Sequence, residues 1–155
     1  MYVRYHHDVV GVNSRLDSIQ AAVLNAKLPL LDQYNAARQN AARKYSAAFE
    51  GHKNIIAPSI CDICDCHVFH QYTLRIIDRD RDGLMQHLLD KGIPCAIYYP
   101  IPLHSQKAYM DVRYKEADFP VTNLLAKQVI SLPMHTELDD EQIKFITDSV
   151  LEYLK

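Results

Sequence analysis

Across residues 16–49, apolar or small side chains fall at positions 16, 19, 23, 26, 30, 34, 37, 41, 45 and 48. The mean step is close to the roughly 3.6-residue repeat of an α-helix, so this segment is predicted to be one long helix with a face to bury. Alanines at 21, 22, 36, 37, 41, 42, 47 and 48 favour helix and permit close approach of a neighbour. Pro29 cannot donate to the carbonyl of Asn25, so a kink or a junction of two helices is expected there. Gly51 supplies the stop.

The repeat then changes. Residues 57–67 are polar and rich in Cys and His, and read as loop, whereas 68–77 alternate and carry β-branched and aromatic side chains, as a strand does. Asp82 is predicted to cap a helix bearing Leu84, Leu88 and Leu89, closed by Gly92 with Pro94 just beyond. Residues 95–99 read as a short strand running into Pro100 and Pro102, and 103–119 as loop with some local helix. A helix over 122–128, a strand over 129–132 ended by Pro133, and a final helix from near Asp139 complete the chain. Asp139 and Gln142 stand at capping-box spacing, and Ile143, Ile146, Val150 and Leu154 form the buried face. The order, a long helix and then β-α-β-α-β-α, predicts an α+β fold: a long kinked N-terminal helix followed by a small sheet covered by helices.

Composition narrows the class of protein. The 155 residues suffice for one domain with its own core, and 48% hydrophobic with 23% charged residues excludes disorder and a coiled coil. A net charge of -2 without a basic stripe argues against nucleic acid as a partner. No apolar run approaches the roughly 18 residues that span a bilayer, so no membrane partner is expected. Residues 1–7 lack the apolar core of a signal peptide, and the 4 cysteines are too sparse for a secreted disulfide scaffold; a cytoplasmic protein is expected.

Three clusters could carry chemistry. Asp78, Asp80 and Asp82 with Gly83 imitate the start of a calcium loop, but its twelfth position, normally a bidentate Glu, is Leu89; a capped strand-to-helix turn explains the cluster better. Cys61, Cys64, Cys66, His67 and His70 are soft ligands crowded within ten residues, whereas structural zinc sites pair two ligand turns across a spacer. No metal site is assigned, and a reduced loop is the expected reading. The string Tyr98-Tyr99-Pro100-Ile101-Pro102-Leu103-His104 sets two phenols and an imidazole on an extended path past a strand end, either a rigid surface loop or the edge of a polar-ligand site.

Four stretches, in order, resemble the DegT/DnrJ/EryC1/StrS family of pyridoxal-phosphate-dependent sugar aminotransferases. They are Gly-x-Asn-Ser-Arg-Leu-Asp-x-Ile-Gln-Ala-Ala at 11–22, followed by Lys27-Leu28 and Leu31-Asp32; His70-x-Tyr72; Tyr99-Pro100-Ile101-Pro102-Leu103-His104 with Gln106 and Tyr109; and Phe119-Pro120 followed by Ser131-Leu132-Pro133-Met134-His135. The resemblance implies the small C-terminal domain of a fold type I enzyme at 16–155, with 1–15 as the remnant of a linker from a large cofactor domain. It implies transfer of an amino group, from a glutamate-type donor, onto the keto group of a nucleotide-linked sugar by a homodimer.

By that resemblance Asn13 binds the cofactor phosphate of the neighbouring subunit, and Tyr99 and His104 border the substrate. The guanidinium of Arg15 in the same motif suits the cofactor phosphate or a carboxylate, or else a salt bridge that holds the segment. The lysine that carries the cofactor precedes this region in the family, and no lysine here sits in a matching motif. The chain alone is therefore expected to hold no pyridoxal phosphate and to be catalytically incompetent. Two other classes stay open at this point: a non-catalytic module that binds a sugar nucleotide or self-associates, and a Cys/His metal-binding domain.

Overall fold

The computed structural model describes residues 5–59 and 67–155. Cys61, Cys64 and Cys66, and with them the candidate metal cluster apart from His67 and His70, lie outside the described residues.

The long helix is divided at the proline. Helix α1 (Ser18–Lys27) opens on a capping box, in which the Asp17 carboxylate accepts from the Gln20 amide at 2.8 Å while the Gln20 side chain accepts from the Asp17 amide at 3.4 Å. Pro29 sits in a single 3₁₀ turn, Leu28–Leu30, and α2 (Leu31–Phe49) follows without a cap of its own. The chain leaves α2 through Gly51 at φ +72°, a left-handed conformation that costs glycine nothing. The continuous buried face expected from the sequence holds only in α2, where Ala41, Ala42, Tyr45 and Phe49 are buried. In α1 no residue is buried, and Ile19 is 79% exposed. Of the positions the period marks, Ala41 and Tyr45 are buried, with Ala42 and Phe49 beside them, whereas Ala48 and every marked position of α1 are exposed, because a period gives the side of a helix and not what packs on it.

Three antiparallel strands form the sheet, β1 (Ile55–Ile56), β2 (Tyr72–Ile76) and β3 (Val129–Leu132), in the order β1-β2-β3. Ile55 faces Ile76, and Leu74 faces Ile130. The two-residue β1 is too short to show a period and was not anticipated. The strand expected over 95–99 is reduced to one bridge, Ala96 with Ser131, made by amide-to-carbonyl bonds of 3.1 and 2.8 Å. Pro94 and Pro100 close in on it from both sides and have no N–H to extend the ladder.

Helix α3 (Arg81–Asp90) is capped by Asp80 rather than Asp82. The Asp80 carboxylate accepts from the amides of Asp82 and Gly83 at 3.1 and 3.0 Å, which leaves Asp82 in the first turn, where a carboxylate favours the helix dipole. Helix α4 (Pro120–Gln128) begins on its proline, and α5 (Asp140–Leu154) on the expected capping box of Asp139 with Gln142.

Alternate residues of β2, Tyr72, Leu74 and Ile76, are fully or nearly fully buried, and Leu84, Leu88, Ile146 and Val150 of α3 and α5 belong to the same core. The intervening Arg75 reaches Gln128 at the end of α4, so that helix is tied to the other side of the strand. Arg81 joins the two parts by donating to the carbonyls of Ala126 and Val129 at 3.2 and 2.7 Å.

The phenols of Tyr45 and Tyr72 lie inside this core. Tyr45 donates to the Pro133 carbonyl at 3.0 Å, and the Tyr72 hydroxyl meets that of Ser46 at 2.9 Å. Burial, and then the nearby Tyr72, hold the Tyr45 pKa far above the usual phenol value; burial raises Tyr72 as well. An acid whose pKa rises on folding contributes its full stability below the unfolded value and loses it above. Melting temperature is therefore expected to fall as pH rises beyond the ordinary phenol value of 10.0. Circular dichroism melts of Tyr45→Phe should show a shallower alkaline decline, and an identical slope would contradict the assignment.

Candidate functional site

The prolines at 100 and 102 carry the chain out of the Ala96 bridge along an extended path, after which residues 103–109 tighten into two 3₁₀ turns, Leu103–Ser105 and Lys107–Tyr109. Between this loop, the start of α4 and the N-terminal segment lies a cavity of about 820 Å³. Its walls are mostly aromatic and aliphatic, with Tyr5, Tyr99, Tyr114, Phe119 and Leu125 among them, and none of the residues lining it is Lys, Arg, Asp or Glu. Such an enclosure, apolar with a few hydroxyls and the two imidazoles of His7 and His104, suits a small organic ligand.

Tyr99 and His104, the two substrate-side residues expected from the sequence, line this cavity. Tyr99 is 74% exposed and packs edge-on against Tyr5, ring centroids 6.2 Å apart. His104 is half-buried, stacked on Phe119 at 4.3 Å and bonded through Nε2 to the Asn123 side chain at 3.0 Å.

Asn13 and Arg15 are not brought to the cavity. Both lie in the extended, exposed stretch between His7 and α1, with no hydrogen bond or ion pair among the described residues. A free amide and a free guanidinium form a donor set suited to a phosphate. No lysine is among the residues that line the cavity. The chain's own residues thus fit the anionic end of pyridoxal phosphate and offer nothing there to bond its aldehyde.

Two residues to which the sequence reading assigned no role organise the site. Gln106, 6% exposed, donates through Nε2 to the carbonyls of Tyr5 and Ile101 at 2.8 and 3.4 Å and accepts from the His7 amide at 3.1 Å. It clasps the N-terminal segment to the loop across about a hundred residues of sequence. Asn123 anchors His104 from the first turns of α4. Gln106 stands in the family-like stretch but without a role, and Asn123 had no signal at all, since one polar residue in a loop or on a helix does not reveal what it will be folded against.

A family profile, the DegT/DnrJ/EryC1/StrS aminotransferase family, matches residues 2–151. The chain is 38% identical over 154 residues to a pleiotropic regulatory protein of Geobacillus stearothermophilus, covering 98% of this chain and 41% of that protein. To the UDP-2-acetamido-2-deoxy-3-oxo-D-glucuronate aminotransferase of Pseudomonas aeruginosa it is 42% identical over 143 residues, 92% of this chain and 38% of the relative. Among solved structures, that of S. venezuelae DesV in complex with a ketimine intermediate superposes with a TM-score of 0.84 at 35% identity, covering 100% of this chain and 41% of DesV. The chain spans about two-fifths of the length of these relatives, 38% to 41%.

Proposed function

Because the chain belongs to the DegT/DnrJ/EryC1/StrS aminotransferase family, we propose that it is the C-terminal part of a pyridoxal-phosphate enzyme that aminates a nucleotide-linked keto sugar. The observation that carries this reading is the match across nearly the whole chain together with a cavity that Tyr99 and His104 line and that no lysine reaches. The relative named as acting on a UDP-linked 3-oxo sugar supports the substrate class. A glutamate-type amino donor is part of the same proposal.

In this reading residues 1–15 are the link from the cofactor-bearing region, and 16–155 are the small domain. Pyridoxal phosphate, when bound, supplies the electron sink and the carrier of the amino group. Asn13 holds a phosphate oxygen of the neighbouring subunit's cofactor through its amide N–H, and Arg15 neutralises charge beside it. Tyr99 and His104 orient the sugar and, with the other aromatic walls, exclude water. The enzyme acts as a homodimer, and the exposed apolar residues of α1, such as Ile19, Val23 and Leu24, are covered in it. Alone, the chain does not catalyse transamination.

Two measurements test the proposal. Titration of the purified chain with pyridoxal phosphate is expected to produce no stoichiometric, borohydride-fixable absorbance band. A band of one equivalent would show that a lysine of this chain carries the cofactor. The coding sequence preceding Met1 is expected to specify a cofactor-binding region with its lysine; an unrelated gene there would overturn the fragment reading.

A further inference from the structure

The hydrogen bonds around His104 decide where its proton sits. Asn123 donates through Nδ2 to the Glu116 carbonyl at 2.7 Å, so its amide is oriented with Oδ1 free to accept. His104 Nε2 lies 3.0 Å from that oxygen. A carbonyl oxygen only accepts, so Nε2 carries the hydrogen, and in a neutral imidazole Nδ1 is then a bare acceptor. Stacking on Phe119, with the planes 14° apart, holds the ring against rotation. Phe119, Glu116 and Asn123 all belong to the short path from the 3₁₀ turn Glu116–Asp118 into α4, so one local unit sets the orientation. His104 Nδ1 has no partner among the described residues and is not among the buried unpaired atoms, although the residue lines the cavity.

The geometry points to Asn123 as a positioning residue that locks His104 in the Nε2–H tautomer, so that Nδ1 accepts from an uncharged donor on the ligand, a ring hydroxyl. The ligand class rests on the reading of this cavity as the sugar's. It follows from the acceptor together with walls that, among the described residues, carry no Lys or Arg: a phosphate presents chiefly negatively charged acceptor oxygens and would meet no cation among those residues. An amide partner suits the task, because it fixes the tautomer without placing a negative charge beside the ring.

The test is a long-range ¹⁵N–¹H spectrum of the chain labelled in histidine, recorded near pH 9, where neutral imidazole is observed. The signal lost in His104→Gln identifies the residue among the 8 histidines. The unmodified chain is expected to show the Nε2–H pattern. Asn123→Leu should move His104 toward the average of the two tautomers, and Asn123→Asp, which keeps an acceptor oxygen, should restore Nε2–H.

An averaged or Nδ1–H pattern in the unmodified chain, or no change in a folded Asn123→Leu, would overturn the lock. Methyl α-glucopyranoside and inorganic phosphate, added separately, test the ligand class. Shifts of His104 with the sugar alone support it, and shifts with phosphate overturn it. No shift with either would refute the placement of the sugar in the cavity, while the tautomer result still decides the role of Asn123.

Discussion

Leu74→Ala is expected to destabilise the fold by about 3–4 kcal/mol, since a fully buried leucine loses both its transfer free energy and the contacts around the space it vacates. Leu74 is 0% exposed, in the middle of the central strand, and pairs across to Ile130, also 0% exposed. Strands flank it on both sides and helices cover it, so its neighbours have little freedom to collapse into the gap. Domains are stable by only about 5–15 kcal/mol, so the loss would remove a large share of the total. Urea denaturation measures it directly as a lower midpoint at an unchanged slope. Leu89, on the outer side of α3 and 42% exposed, is the control, and its truncation is expected to cost within about 1 kcal/mol. Equal effects at the two positions would mean that the core is not where the sheet places it.

Gln106→Leu should act locally and still produce a large effect. The substitution keeps most of the volume but leaves the Tyr5 and Ile101 carbonyls and the His7 amide without their partner. These bonds are part-buried, so leaving their groups unpaired costs up to about 1–3 kcal/mol each, whereas release of the N-terminal segment into water satisfies them at the loss of its few docking contacts. Undocking is the less costly outcome. It would also free Tyr5, which lines the cavity and packs on Tyr99. Hydrogen exchange at the amides of His7 and Ala108, which donate to Gln106 and to the His7 carbonyl, is expected to accelerate at least roughly tenfold while the global melting temperature moves little. Asp8→Asn, which breaks only the exposed ion pair with Lys107, should leave both rates nearly unchanged. Exchange that stays slow in a folded Gln106→Leu would show that the clasp does not hold the segment.

The parts of the fold that could be read along the chain are those governed by neighbours in sequence. Asp139 and Gln142 cap α5 because a carboxylate three residues from an amide reaches it whatever lies elsewhere, and Ile143, Ile146, Val150 and Leu154 share a face because helical geometry puts them there. The division at Pro29 and the exit at Gly51 follow in the same way from a missing donor and a missing Cβ. Even locally, chemistry left a choice: Asp80 and Asp82 are equally good caps, and the one used was set by where the strand ahead of α3 ends.

The family and the two residues at the cavity, Tyr99 and His104, were visible in the motifs. The cavity was not, because its walls come from three stretches, at the N-terminus, within 98–119 and from α4 to Val129, that meet only when the chain folds. Sequence order likewise hid Gln106 and Asn123, whose partners are separated from them by up to 101 and 19 residues. Periodicity and capping are short-range physics and are written in consecutive residues. The clasp on the N-terminal segment, the proton on His104 and the bare face of α1 depend on which distant surfaces meet, and folding alone brings those surfaces together.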